Sequence, residues 1–226
     1  RPPSLFELFG NTGMVLGNPE LVPERSTSGD LGAVWTPEPW GLVKLQLEVY
    51  GFLTRAEQLI VLIQNGQDVS QARNVASAWL GGVELGARVE APYVRSRLSA
   101  TVLETENTTE IAAEQGKPLP NRPRYKGFLR VEGHSSETWP DVQLRGAVEV
   151  EAVSENTIDA AATTTADARV WLGASVGVSL FHQLDLGVEV RNVLDARTQD
   201  LVGYPLPGLQ VMANLRWTPL REEAIR

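Results

Sequence analysis

The chain has 226 residues, a formal net charge of -8, 42% hydrophobic residues and no cysteine. The lack of cysteine excludes disulfide frameworks, thiolate metal sites and cysteine nucleophiles. The acidic balance and the absence of any basic run argue against nucleic acid as a partner, because phosphate contacts need clustered Lys and Arg. The longest strongly apolar run, residues 59–63, is far shorter than the roughly 18–20 residues that a transmembrane helix needs.

The chain begins with an irregular segment and then becomes regular. Residues 1–23 are rich in Pro, Gly and Asn, which predicts loop, with one short helical turn at residues 4–9. From Thr27 onward, apolar and polar residues alternate with period two, which is typical of β-strands with two different faces. The alternation predicts about nine strands and no amphipathic helix. These strands are expected at residues 27–35, 43–63, 75–89, 94–103, 125–131, 142–153, 170–180, 184–190 and 209–217.

The lengths of the strands and connections narrow this all-β class. Several runs reach the roughly 9–11 residues that a membrane-spanning strand needs. Short turns at 36–41, 91–93, 134–141 and 181–183 alternate with long polar loops at 64–70, 104–122, 154–166 and 196–207. An up-and-down meander with short turns at one rim and long loops at the other is the plan of an outer-membrane β-barrel.

The aromatic residues support a membrane barrel. Those beside short turns or near the chain end are predicted membrane-interface residues, because amphipathic rings favour the headgroup level: Trp35, Trp40, Tyr93, Trp139, Phe181 and Trp217. Trp79 is predicted to belong to a second belt, or girdle, of aromatic residues at the opposite membrane interface. The alternation of its strand predicts that Trp171 faces inward, and this scheme does not explain that position.

The last hairpin gives a specific prediction of sidedness. The lipid-facing residues are expected to be Val188, Val190, Leu209, Val211, Ala213 and Leu215. The residues that face the lumen are expected to be Gln210, Asn214 and Arg216.

Several short motifs occur in one order along the chain. Residues 1–10, RPPSLFELFG, and 17–24, GNPELVPE, resemble an R-x-P segment and a G-N-P-x-L-x-P-E segment. Residues 74–84 resemble N-x-x-x-A-x-x-x-G-x-E, residues 119–123 resemble L-P-x-R-P, and residues 190–195 resemble V-x-N-L-x-D. In this order and at these spacings, the motifs resemble the barrel of TonB-dependent outer-membrane receptors.

The resemblance implies an antiparallel up-and-down transmembrane β-barrel segment. It would be the C-terminal part of a barrel of about 22 strands with a plugged lumen. The plug, the TonB-contacting box and over half of the strands would lie outside this sequence. We therefore expect an outward loop segment at 1–23, barrel strands at 24–217 and a tail at 218–226. The tail departs from the family pattern, which usually ends on an aromatic residue such as Trp217.

The function implied by the resemblance is energised uptake of a scarce ligand across the outer membrane of a Gram-negative bacterium. The ligand would be a small molecule or chelated metal, such as a ferric siderophore, cobalamin or a glycan, and the TonB complex would act through the plug. Neither catalysis nor a cofactor or resident metal is expected. By analogy, ligand contacts are expected from outward loops, with candidates at Arg1, Asn11, Asn18, Asn65, Gln67, Asn107 and Tyr204.

Two other functions stay open from sequence alone. In a soluble β-sandwich or lectin-like binding module, the apolar strand faces would point into a protein core, and parity alone does not say which face is inside. An outer-membrane hydrolase barrel would use Ser175, since residues 173–177 match G-x-S-x-G. A nucleophile elbow needs a strand, a sharp turn and a helix, however, and this match lies inside an alternating strand.

Overall fold

The computed structural model describes residues 1–10, 15–64, 70–109, 111–135, 141–181, 183–201 and 204–219. Its one described helix, α1 (Leu5–Phe9), confirms the predicted helical turn. Ser4 and Glu7 cap its first turn reciprocally, each accepting a backbone N–H from the other, and the helix ends at Gly10, where φ is 71°. In the part of the chain described, no helix combines the length and the apolar character needed to cross a bilayer.

The rest of the regular structure is β. The described strands, in chain order, are β1 (Val15–Leu16), β2 (Arg25–Trp35), β3 (Lys44–Gln64), β4 (Ser70–Ala91), β5 (Val94–Asn107), β6 (Tyr125–His134), β7 (Val142–Val153), β8 (Asn156–Thr157), β9 (Thr165–Ala166), β10 (Arg169–Leu180), β11 (Leu184–Arg191), β12 (Gln199–Leu201), β13 (Tyr204–Pro205) and β14 (Gln210–Trp217).

Nine of these strands form one antiparallel meander. They lie in the order β14-β11-β10-β7-β6-β5-β4-β3-β2, and the short strand β1 pairs separately with β4 in parallel. The predicted number and up-and-down order of the strands are therefore confirmed. The short strands β8 with β9, and β12 with β13, form two small hairpins inside connections that were predicted as loops.

The register of the sheet creates one continuous apolar face. Residues directly opposite each other in a ladder point to the same side. One such row crosses five strands, through Val131, Val148, Ala174, Val190 and Val211. Next to it on the other side of the sheet, Arg130 lies opposite Glu149. The two faces therefore differ in polarity across the sheet.

The last hairpin separates its apolar and polar residues onto two faces, as the alternation predicts. Val190 lies opposite Val211, and Val188 lies opposite Ala213, on the apolar face. Asn214 and Arg216 occupy the alternate positions of β14, on the polar face. The predicted separation of these residues into two faces is therefore confirmed.

Within the described residues, no protein layer covers the apolar face. Among the described residues, four of the six buried hydrophobic ones are alanine: Leu21, Ala72, Ala78, Ala147, Val153 and Ala166. By contrast, Leu31 is 82% exposed, Leu215 69% and Val176 67%. A sandwich would cover this face with a second sheet, which the described strands do not form. Each Å² of apolar surface left in water costs about 25 cal/mol, so this face is more stable against an apolar environment than against water.

The β3–β4 hairpin is much longer than its neighbours. The two strands have 21 and 22 residues, about 70 Å at the usual rise, against 12 residues in β7. The predicted loop at 64–70 lies mostly outside the described residues, and its two end residues, Gln64 and Ser70, belong to the strands. A β-bulge interrupts the hairpin between Ala56 and Ile60, where Gln58 has a φ of 57°.

The connections are sorted between the two rims of the sheet. Those after β2, β4, β6 and β10 lie at one rim, which we call the short-turn rim. The longer connections after β5, β7 and β11, together with the β3–β4 hairpin tip, lie at the other, which we call the long-loop rim. The sheet is open in the described structure, with β2 and β14 at its two edges.

Candidate ligand-binding rim

An ion-pair cluster fastens the N-terminal segment at the long-loop rim. The Arg1 guanidinium donates to Glu7 at 2.9 Å and to Glu24 at 2.8 Å, and the Ile60 backbone N–H donates to Glu24 at 2.9 Å. Hydrogen bonds from Arg1, and then from the Ser4 backbone, hold the pKa of Glu7 down at about 2. The Arg1 guanidinium also lowers the pKa of Glu24. We call Arg1, Glu7 and Glu24 the N-terminal latch.

Two asparagine side chains dock the same segment onto β4. Asn18 donates to the Ala72 carbonyl at 2.9 Å. Asn74 accepts the Val22 backbone N–H at 2.9 Å and donates to the carbonyls of Val22 at 2.8 Å and Gln58 at 2.7 Å. Asn74 therefore joins the N-terminal segment to the bulge of the β3–β4 hairpin. It gives the Asn of the N-x-x-x-A-x-x-x-G-x-E motif a structural role that sequence reasoning missed.

Glycine permits the close backbone approach within this segment. A Cβ at Gly17 would lie 2.4 Å from the Leu8 carbonyl oxygen and 2.5 Å from the Phe9 Cα. A Cβ at Gly10 would lie 2.3 Å from the Val15 carbonyl oxygen. Both clashes are with backbone, which does not move aside as a flexible side chain would. The helix and the chain that follows it can pack together only with glycine at these positions.

The connection after β5 folds around Asn107. This side chain is 4% exposed, accepts the Thr109 N–H at 3.0 Å and donates to Glu114 at 3.3 Å. Its backbone accepts the Gly116 N–H and donates to the Lys117 carbonyl, both at 2.8 Å. These bonds use polar groups of Asn107 to shape the loop. Its predicted contact with a ligand stays a prediction.

A second buried asparagine closes the connection after β11. Asn192, 2% exposed, accepts the Ala196 N–H at 2.9 Å and donates to the carbonyls of Ala196 and Pro207. Nearby, Asp195 accepts the Leu209 N–H at 2.9 Å, and this bond lowers the pKa of Asp195. The sequence signal for both residues is the V-x-N-L-x-D motif.

The β8–β9 hairpin is fixed by Asp159 at its tip. The carboxylate accepts the backbone N–H groups of Thr163 and Thr164, at 3.1 and 2.6 Å, and these bonds lower the pKa of Asp159. The Asn121 N–H donates to the Thr157 carbonyl at 2.8 Å, which ties the preceding connection to this hairpin. The connections after β5 and β7 are therefore joined to each other at the long-loop rim.

A cavity of about 750 Å³, lined by both polar and apolar residues, lies between these segments. The Trp79 indole N–H donates to Glu106 at 2.9 Å, and Arg124 pairs with Glu104 while its guanidinium lies 5.4 Å from the Tyr125 ring centroid. The remaining wall contains Leu103, Thr105, Gly116, Pro118, Arg122, Ser154, Glu155, Asn156, Thr157 and Thr165. Trp79 lies near the long-loop rim on the apolar face, where a second aromatic girdle was predicted.

The polar face carries ion pairs within and between strands. Arg130 on β6 pairs with Glu149 on β7 at 2.9 Å, and with Glu132 on its own strand at 3.3 Å. Arg145 on β7 pairs across β10 with Asp185 on β11 at 3.1 Å. All of these residues are partly exposed, as expected for the wall of a wet lumen.

The structure explains the inward parity of Trp171. The Arg169 guanidinium lies 5.4 Å from the Trp171 ring centroid, within the range of a cation–π contact. Arg169 also lies 3.8 Å from Glu151, the residue opposite Trp171 in the ladder. Trp171 is thus part of a charged cluster near the long-loop rim. Sequence parity alone carries no signal for such a contact.

The predicted interface aromatics that are described lie at or beside the short-turn rim. Trp35 ends β2, Trp40 is 92% exposed in the next turn, and Trp217 ends β14 with 65% exposed. Tyr93 contacts His134 edge-on, with ring centroids 6.2 Å apart, and Phe181 is 62% exposed after β10. Their contact with a membrane interface stays a prediction, and Trp139 lies outside the described residues.

Other predicted site residues are placed as follows. Ser175 lies in the middle of β10, which continues to Leu180, so the strand–turn–helix context of a nucleophile elbow is not formed there. Arg1 and Asn18 lie at the long-loop rim and bind within the protein, as described above. Tyr204 lies in β13. Asn11, Asn65 and Gln67 lie outside the described residues.

These features define an open segment of an antiparallel β-barrel with one apolar and one charged face. A family model described as TonB dependent receptor-like, beta-barrel matches residues 1–193, and the chain belongs to this family. None of the curated proteins matches the chain significantly in sequence.

Solved structures of similar fold include the ferric yersiniabactin uptake receptor FyuA from Yersinia pestis, with 21% identity over 84% of this chain and a TM-score of 0.68. The copper transporter OprC is 16% identical over 96% of this chain, with a TM-score of 0.75. The ferripyoverdine receptor of the Pseudomonas aeruginosa outer membrane is 14% identical over 87%, with a TM-score of 0.64. The matches span 28%, 35% and 27% of those chains. At these identities, the likeness concerns the fold.

Proposed function

We propose that this chain forms part of an outer-membrane receptor that takes up a scarce ligand with energy from the TonB complex. The observation that carries the proposal is the pairing of an uncovered apolar face with a charged face across nine strands. This arrangement suits a wall between lipid and an aqueous lumen. Membership of the TonB-dependent receptor family supports the energised uptake. The TonB complex would act through the plug of the receptor.

Among the ligand classes expected from the sequence, we favour a ferric siderophore over cobalamin or a glycan. The similar structures include receptors whose names specify ferric yersiniabactin, ferripyoverdine, ferric catecholate and ferric preacinetobactin. The ligand would enter from the long-loop rim, where the braced connections form a polar surface. No covalent step is required of the protein, since uptake only needs binding and release.

The test is ligand uptake by the source bacterium under iron limitation. Deleting the gene that carries this chain should abolish uptake of one radiolabelled ferric siderophore, and the intact gene should restore it. A strain without TonB should show the same loss. Labelled cobalamin and a labelled oligosaccharide provide the other arms of the comparison. Unchanged uptake of all three ligand classes, or uptake that does not depend on TonB, would contradict the proposal.

A further inference from the structure

Three arginines form a row across the polar face of the sheet. Arg88 on β4 lies directly opposite Arg97 on β5, and Arg97 lies directly opposite Arg130 on β6. Directly opposite residues have Cβ atoms about 5 Å apart, so the row spans about 10 Å. It lies three residues from the β4–β5 turn, about 10 Å along the strands from the short-turn rim. We call Arg88, Arg97 and Arg130 the arginine row.

The row is poorly neutralised by the protein that surrounds it. Like charges directly opposite each other destabilise a sheet. Arg130 has two carboxylate partners, Glu149 and Glu132. Arg88 and Arg97, both exposed, have neither an ion pair nor a side-chain hydrogen bond in the described part of the chain.

The neighbouring acidic residues face a different arginine. Arg95 lies opposite Glu90 on one side and Glu132 on the other, so charges alternate in its row. At the ends of the arginine row, Gln46 lies opposite Arg88 and Glu149 lies opposite Arg130. The two rows lie side by side on the same face, and only one of them concentrates positive charge.

We propose that the arginine row is an oxyanion-binding site for carboxylate or phosphate groups inside the lumen. A guanidinium takes such groups with two parallel N–H···O bonds, and two free guanidinium groups side by side can hold a molecule with two or more anionic groups. The anion would relieve the repulsion between Arg88 and Arg97. The site depends only on the polar face lining a lumen, so it can fail while the proposed uptake function stands.

The oxyanion has two possible sources, a small anionic molecule and a side-chain carboxylate of a segment that occupies the lumen. The probes are citrate and inorganic phosphate, added to the purified receptor that carries this chain, in detergent micelles. Calorimetry measures their binding. The folded and unfolded receptor migrate differently in a gel, so the fraction folded after heating gives the temperature of the unfolding midpoint. The variants are Arg88→Gln and Arg97→Gln. Arg95→Gln is the matched control, on the same strand and face as Arg97.

If a small anion occupies the row, citrate binds the wild-type receptor, and Arg88→Gln or Arg97→Gln weakens binding about tenfold or more. Arg95→Gln leaves it within about twofold. If a carboxylate of the receptor occupies the row, citrate does not bind, and Arg97→Gln lowers the midpoint about 2 °C or more below that of Arg95→Gln. Either result supports the site. The site does not exist if Arg88→Gln and Arg97→Gln match Arg95→Gln in both measurements.

Discussion

A single position on β10 tests the sidedness of the sheet. Val176 is 67% exposed and lies between Gly146 of β7 and Val188 of β11 on the apolar face. It lies four residues before the end of β10 at Leu180, which places it about 10 Å from the short-turn rim at a strand tilt near 40°. That depth is close to the middle of an apolar band about 25 Å tall. Val176→Arg should therefore cost about 2–4 kcal/mol.

The matched control is Ser175→Arg, one residue earlier on the opposite face. Ser175 lies opposite Glu189, which offers a partner to a new arginine, so this variant should cost less than about 1 kcal/mol. Denaturant unfolding of the receptor in lipid vesicles measures both costs. The predicted cost of about 2–4 kcal/mol for Val176→Arg corresponds to about a 30- to 700-fold change in its unfolding equilibrium. A cost for Ser175→Arg equal to or above that of Val176→Arg would refute the assigned sidedness.

Two further predictions concern the N-terminal segment. Asn74→Ala leaves backbone groups of Val22 and Gln58 without their hydrogen-bond partners, which should lower the stability of this segment by about 1–3 kcal/mol. Proteolytic release of residues 1–23 should then be faster, and cleavage at the wild-type rate would argue against this bridge. The pKa of Glu7 falls to about 2, below its ordinary value of about 4.3, so its contribution to the latch is complete above the ordinary value and lost as the pH falls. The opening of α1 should increase as the pH falls from about 4 to 2. Hydrogen exchange, corrected for the intrinsic exchange rate, measures this opening. An increase between about pH 5 and 8 instead would contradict the role of Glu7.

The strands were predictable because each has to separate two environments. A strand with lipid on one side and water on the other must alternate along its whole length, as β7 does at Val142–Val153, where the predicted and observed bounds coincide. The register follows from the same constraint, since a slip of one residue would put charges such as Glu149 on the apolar face. The short-turn rim was also predictable, because a connection of few residues between two paired strands allows few backbone conformations.

The features of the long-loop rim were less accessible from sequence. The bulge at Gln58 and its bridge to Asn74 depend on contacts between residues far apart in the chain, and no local period reports them. Asn107 is a polar residue in a polar stretch, which predicts exposure in a loop, yet its side chain is buried. Trp171 points inward because Arg169 provides a cation, which a parity rule does not include. The conformations at this rim are determined by individual hydrogen bonds, which the alternation of apolar and polar residues does not predict.

The central claim is that the apolar face contacts lipid and the charged face lines water. The chain has no cysteine, so single cysteines introduced along β7 can each carry one spin label. In lipid vesicles, labels at Val148 and Val150 should collide often with oxygen, which concentrates in the bilayer. Labels at Ala147 and Glu149 should instead be accessible to a water-soluble nickel chelate or be shielded from both reagents. Equal oxygen accessibility at all four positions, or the reverse pattern, would contradict the account.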